Sequence, residues 1–342
     1  MHLGIDSFVA AVTDPATERL IGPQERMAHL LEEIELADRV GLYSFGIGEH
    51  HRREYYDSAP PVILGAAAAR TERIRLGSAV AVLSATDPVR LFQQFATLDL
   101  ISGGRMDLVV GRGSFTEAFP LFGLDLADYD SLFTEKLELL LKIRDSEEVT
   151  WSGRHRPAMT NQAVYPRPVQ EQLPIWVGVG GTPESFARAG LLGLPLMIAI
   201  IGGEPRQFAP LVDLYRRAGA QAGHDPSRLK VGLHVFGFVG ESHKQAADTI
   251  YPGWHEMFAK ISAERGFRQP SRLQFDNTAG PDGAFFLGDP TEVADKIRRV
   301  SEQLGGVDRL SIQMTNPRLA HDDLLRGIEL LGTEVAPLVA DV

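Results

Sequence analysis

Ile175-Trp176-Val177-Gly178-Val179-Gly180-Gly181-Thr182-Pro183-Glu184-Ser185 is the stretch from which the fold is read. Ile175–Val179 is a short apolar run rich in β-branched residues, the pattern of a strand covered on both faces. Thr182 then reads as an N-cap and Pro183 as the first helical residue, so a strand passes straight into a helix. Gly180 and Gly181 leave the turn free to aim backbone N–H groups at an anion on the helix N-terminus. An ordinary β-to-α turn with a good cap accounts for the same residues equally well.

The same unit recurs in both directions. Strands are expected at Leu3–Phe8, Tyr43–Ile47, Ile74–Val82 and Met106–Val110 before it, and at Pro195–Ile201, Leu229–Val239 and Arg309–Met314 after it. Between them lie helical periods at Gln24–Val40, Pro60–Arg70, Pro88–Leu100, Tyr129–Arg144, Arg206–Ala222, His243–Arg265 and Thr291–Leu304, with a last helix at Asp322–Leu331. A Pro-rich linker (Pro157, Pro166, Pro168, Pro174) precedes the fifth strand, and Arg268–Phe286 reads as irregular. Eight strands each followed by helix, without hairpin signals, predict a closed parallel (β/α)8 TIM barrel as a single domain over 1–342. An open doubly wound sheet is the alternative; no break in composition divides the chain into the halves it would need.

The charge, 34 basic against 45 acidic residues for a net −11, lacks the basic footprint of a nucleic-acid binder and disfavours anionic membrane surfaces. The absence of cysteine excludes disulfides, thiolate nucleophiles and Cys-based metal sites. With no secretory signal at Met1–Phe8 and no apolar run of membrane-spanning length, a cytoplasmic protein is expected.

In such a barrel the chemistry sits on the loops after the strands. The second strand ends in Gly48-Glu49-His50-His51. Adjacent side chains there leave in opposite directions, so one histidine can face the barrel mouth, where imidazole suits proton transfer near neutral pH. A solvated loop is the plainer reading. A zinc site lacks the i,i+4 histidine spacing of the helical zinc motif, and no metal is expected. The third strand carries Gly77-Ser78-Ala79-Val80, small enough for a flat ring or a backbone to approach. The fourth ends in Gly111-Arg112-Gly113, an arginine fork in flexible backbone. The fourth and fifth strands are neighbours, so Arg112 and the Gly180-Gly181-Thr182 turn should meet at one rim as a phosphate site.

These segments, in this order, resemble the bacterial luciferase-like flavin monooxygenases. The likeness runs through Gly48–His51, Arg75–Val80, Asp87-Pro88-Val89-Arg90, Leu98–Arg105, Gly111–Gly113, Tyr165–Gln170, Gly180–Ser185 and Gly288–Ala294. The resemblance implies that His50 is the histidine that aids flavin–oxygen chemistry, with Glu49 beside it. It implies that Ala79-Val80 is a non-prolyl cis peptide against the isoalloxazine ring. It also implies that Arg112, Gly180, Gly181, Thr182 and Ser185 bind the cofactor phosphate. Luciferases carry an acid where this chain has Gln93, which argues against light emission.

The resemblance implies an oxidoreductase that takes reduced FMN from a separate, transient flavin reductase and uses dioxygen on a small organic molecule. Relatives that transfer hydride with a deazaflavin coenzyme are the first alternative, and a flavin-binding protein without turnover the second. No Gly-x-Gly-x-x-Gly unit is present, which suits an external source of electrons. A segment between Val9 and Pro23 is expected to cover the site. A homodimer is expected through Pro60–Arg70 and the apolar positions Leu91, Phe92 and Phe95.

Overall fold

The computed structural model describes residues 1–342. The eight barrel strands are β1 (His2–Ser7), β2 (Ser44–Ile47), β3 (Arg75–Ser78), β4 (Met106–Gly111), β5 (Ile175–Val179), β6 (Leu196–Ile200), β7 (Val231–Val239) and β8 (Arg309–Gln313). Each pairs in parallel with the next. The ring closes between β8 and β1, with Ile5 opposite both Phe45 and Ile312. The predicted (β/α)8 barrel is therefore the fold. The third strand is interrupted: after Ser78 the Ala79–Val80 peptide is cis, and a two-residue strand, Ala81–Val82, resumes pairing with β4.

Ten helices of eight residues or more pack around it: α1 (Pro23–Arg39), α2 (Pro60–Ala68), α3 (Pro88–Ser102), α4 (Tyr129–Asp145), α5 (Pro183–Leu191), α6 (Ala209–Gln221), α7 (His243–Arg265), α8 (Arg272–Ala279), α9 (Pro290–Gln303) and α10 (His321–Leu330). None is long and apolar enough to cross a membrane. Asp87 caps α3 through the N–H groups of Val89 and Arg90, and Asp289 with Glu292 forms a capping box on α9, so side-chain caps fix where these two helices start.

Strand side chains alternate between two environments. Leu3, Ile5, Phe45, Ile47, Leu108, Val110, Ile175, Val177, Ile198, Leu233, Leu310 and Ile312 belong to the main core, the layer between strands and helices. The other face lines the barrel interior. There Val109, Trp176 and Met197 form a separate apolar layer, with Val80 resting on it. Below that layer Arg309 donates to Asp107 at 2.9 Å, and Arg75 donates to the same carboxylate at 2.6 Å. Above it lies a second polar pair, Asp6 and His234, 2.7 Å apart. The charged residues inside the barrel are thus paired off, as burial demands, while the Ser44 and Ser311 hydroxyls and the Arg309 Nε stay unpartnered.

Three expectations are corrected. The Pro-rich stretch before β5 contains an antiparallel hairpin, Glu148–Trp151 with Met159–Ala163. The stretch read as irregular contains α8, started by Ser271, whose hydroxyl accepts from the Gln274 N–H; it also contains a short strand, Phe286–Gly288, added to the end of β7. Leu91, Phe92 and Phe95 are buried on the barrel-facing stripe of α3 and cannot form a surface shared by two copies. At a helical period those positions face α3's own core.

Candidate active site

At the C-terminal mouth of the barrel, His50 follows β2 and is 9% exposed. Its Nδ1 lies 2.8 Å from Asp57 Oδ2, and its backbone N–H donates to Asp57 Oδ1 at 3.1 Å. Two contacts from one carboxylate fix both the ring and its backbone, leaving Nε2 without a partner in the protein. Burial raises the Asp57 carboxyl above its ordinary range, against the lowering pull of the His50 hydrogen bond. The imidazole is enclosed by the rings of Phe8, Tyr55 and Phe115, at centroid distances of 4.6, 4.5 and 5.5 Å. Burial pushes the Tyr55 phenol up to about 12, so it stays protonated at neutral pH.

His51 points elsewhere. It packs edge-on against Phe122, and its Nε2 lies 3.1 Å from Glu49 Oε1. The other Glu49 oxygen accepts the Val82 N–H at 2.8 Å. Glu49 is thereby a brace from β2 to the segment after the cis peptide, and its two oxygens are both engaged. Arg52 ties this loop to its neighbours. It reaches Glu117 at 2.9 Å and Glu264 of α7 at 2.5 Å, and its guanidinium sits 4.6 Å from the Phe115 ring centre.

Ala79 and Val80 lie over glycines. A Cβ on Gly46 would fall 2.8 Å from the Ala79 Cβ; one on Gly111 or Gly178 would fall 2.7 or 2.8 Å from Val80 side-chain atoms. Those distances are shorter than carbon atoms tolerate, so the glycines are what lets the 79–80 pair sink into the barrel mouth.

At the adjoining rim Arg112 donates to Ser185 Oγ at 3.3 Å and pairs with Asp130 at 2.5 Å, over the ring of Tyr129. Ser185 is the third residue of α5, and the Thr182 side chain makes no capping bond, so the open N–H groups of this helix start beside a guanidinium. Gly180, Gly181 and Thr182 are exposed, as is Glu184, which points its charge to solvent. The residues expected to form an anion site are therefore brought together.

The profile of the luciferase-like monooxygenases matches residues 5–308. The chain belongs to this family. A luciferase-like relative, the N-acetyl-S-alkylcysteine monooxygenase of Bacillus subtilis, is 34% identical over 304 residues, covering 83% of this chain and 87% of that one. Among solved structures, the oxygenating constituent of 3,6-diketocamphane monooxygenase from Pseudomonas putida, in complex with FMN, has a TM-score of 0.77 at 21% identity over 98% of both chains. An F420-dependent secondary alcohol dehydrogenase has a TM-score of 0.75 at 19% identity over 99% of both. At these identities the two structures speak to the fold, which in one carries a flavin and in the other a deazaflavin.

As a luciferase-like protein the chain holds more at its barrel mouth than the motifs announced. Asp57, Phe8, Phe115, Asp6 and His234 were not singled out from the sequence. Asp57 sits in a loop without periodicity, so only its folded position pairs it with His50. His234 did carry a signal, as the lone ionisable residue at an inward-facing position of an otherwise apolar strand; Asp6 carried less, because its strand also holds His2 and Ser7.

Proposed function

We propose that the protein is the oxygenating component of a two-component monooxygenase that uses reduced FMN, delivered by a separate reductase, and dioxygen on a small organic substrate. The observation that carries this reading is one barrel mouth holding a braced imidazole, His50 on Asp57, beside a rim where Arg112 meets the open start of α5. A guanidinium, a serine hydroxyl and helix N–H groups are the donor set a phosphate monoester needs, so the residues fit the cofactor's charged end. Ala79 and Val80, set low by their glycine neighbours, leave room for a flat ring above them.

Bound reduced flavin would supply the two electrons that oxygenation requires. The protein's part is binding, enclosure and proton handling. Arg112, Ser185 and the Gly180–Thr182 turn would hold the phosphate. Phe8, Tyr55 and Phe115 exclude water around His50. Asp57 keeps the His50 Nδ1 engaged, so that Nε2 is the nitrogen at which a proton is held or moved. Glu49 acts on the site through the backbone of Val82. Turnover fits His50 better than mere flavin storage, because storage gives no reason to bury a carboxylate behind an imidazole.

A cytoplasmic homodimer belongs to the same reading. The exposed apolar residues Val62 of α2 and Leu100 and Ile101 of α3 are the surface that two copies would share. The cofactor is tested by anaerobic titration of the apoprotein with reduced FMN and, separately, with reduced deazaflavin coenzyme, followed by admission of dioxygen. Tight FMN binding with oxygen uptake is expected. Binding of the deazaflavin alone, without oxygen uptake, would replace the monooxygenase by a hydride-transfer enzyme.

A further inference from the structure

Six acidic side chains are buried: Asp6, Glu33, Asp38, Asp57, Asp99 and Asp107. Four have partners that explain their burial. Glu33 pairs with Arg26, and Asp107 with Arg75 and Arg309. Asp38 accepts three backbone N–H groups, those of Glu72, Arg73 and Ile74; Asp99 accepts those of Met106, Val169 and Gln170. The remaining two have an imidazole as their only side-chain partner. One is Asp57, behind His50. The other is Asp6, whose single bond is to His234 Nδ1 at 2.7 Å. A buried carboxylate with so few partners is expensive to keep for stability alone.

The His234 ring, 8% exposed, stacks on Phe8 with centroids 5.5 Å apart, and Phe8 also contacts His50. Phe236, two residues on and facing the same way, stands edge-on to it at 6.3 Å. The His234 Nε2 has no hydrogen-bond partner in the protein, although the ring is otherwise fixed. The mouth therefore contains two Asp–His pairs, both imidazoles in contact with the Phe8 ring, within a wall of aromatic rings.

We infer that His234, backed by Asp6, is a catalytic base that takes the proton from a hydroxyl of the organic substrate, and that the substrate is a flat aromatic or enolic hydroxy compound. This rests on the monooxygenase reading above and divides its proton work: His50 serves the oxygen side, His234 the substrate side. In the step, the substrate O–H bond breaks, both its electrons stay on oxygen, and the proton forms a new N–H bond at His234 Nε2. Asp6, accepting from Nδ1–H, offsets the positive charge of the resulting imidazolium. The oxyanion left behind makes the attached ring or double bond electron-rich, which suits attack on electrophilic oxygen. A flat ring suits a mouth whose wall around His234 is built from the aromatic side chains Phe8 and Phe236.

The probe is 4-nitrophenol, whose phenolate and phenol absorb at different wavelengths. It is titrated with the full-length protein at a pH about one unit below its solution pKa, and reduced-FMN binding is measured on the same samples. The unmodified protein should bind it with marked enrichment of the phenolate band. His234→Gln should reduce that enrichment about tenfold or more, and Asp6→Asn should reduce it while leaving the ring in place. His50→Gln should preserve it. Thermal melts identify any variant that fails to fold, and either of the two carries the test alone. Absence of binding, binding without phenolate enrichment, or enrichment that survives His234→Gln overturns the inference. Loss of FMN binding by the unmodified protein would instead overturn the flavin reading, whatever the nitrophenol does.

Discussion

At the scale of single residues, the site depends on which atom each charged group leaves free. Asp57→Asn keeps the shape of the His50 contact but removes its charge. Proton transfer of this kind is worth roughly 10²–10⁴-fold in rate. Single-turnover product formation with reduced FMN and dioxygen should fall by about that much, while FMN affinity stays as it was; an unchanged rate would show that Asp57 only packs. At the neighbouring rim, Arg112→Ala removes a charged hydrogen-bond donor worth roughly 1.5–3 kcal/mol. FMN affinity should drop about tenfold to a hundredfold and riboflavin affinity hardly at all, and an equal loss for both ligands would move the phosphate elsewhere. Residues of this kind were unevenly legible. His50 and Arg112 announced themselves because they stand just past strand ends, His50 in a histidine pair and Arg112 between two glycines. Asp57 did not, because it meets His50 only after the loop between them turns back.

At the scale of elements, strand and helix order followed from periodicity, since the outward strand positions are apolar and most of the longer helices show one apolar stripe. The insertions were less legible. The hairpin at Glu148–Trp151 and Met159–Ala163 is short and mostly exposed, so it lacks the apolar alternation that marks a core strand. The Val9–Pro23 segment is a compact excursion: Asp14 accepts the N–H groups of Ala16 and Thr17, and the Thr13 N–H donates to Pro317 O, across the barrel rim. Glu18 pairs with Arg318 on the same loop after β8. Replacing Asp14–Arg19 with a short glycine turn should alter substrate preference more than melting temperature; collapse of the fold would remove its role as a cover. A third contact sets a pH dependence. His321 of α10 meets Glu32 and Glu33 of α1. Burial opposes charge on its ring, but the carboxylates of Glu33 and Glu32 facing its two nitrogens outweigh it and raise its pKa above the usual 6.5. A raised folded-state pKa means the contact stabilises fully below about pH 6.5, and that this contribution is lost as the pH rises through the raised value. In a His29→Gln background, which silences the ring stacked on His321, adding His321→Gln should lower the melting temperature most at pH 5 and progressively less toward pH 8. A constant difference across that range would contradict the assignment.

At the scale of the whole molecule, the barrel divides labour between its two faces. The outward apolar faces build one large core with the helices, while the interior carries its own small apolar layer, and glycines at the mouth leave room for the 79–80 pair beside Asp6 and His234. The apolar residues left outside, Val62, Leu100 and Ile101, should be covered in a dimer. Ile101→Arg should shift a sedimenting dimer toward monomer at micromolar concentration, and a wild-type protein that sediments as a monomer would contradict that surface. The central claim is that this mouth directs the reaction of dioxygen with reduced FMN through His50. It is tested most directly by mixing the anaerobic reduced-FMN complexes of the unmodified protein and of His50→Ala with dioxygen, and following flavin oxidation and hydrogen peroxide release in both. The expected result is equal FMN binding, with rapid peroxide release in His50→Ala and suppressed release in the unmodified protein. Identical oxygen reactions in the two proteins, or no reaction of the bound flavin with dioxygen in either, would contradict it.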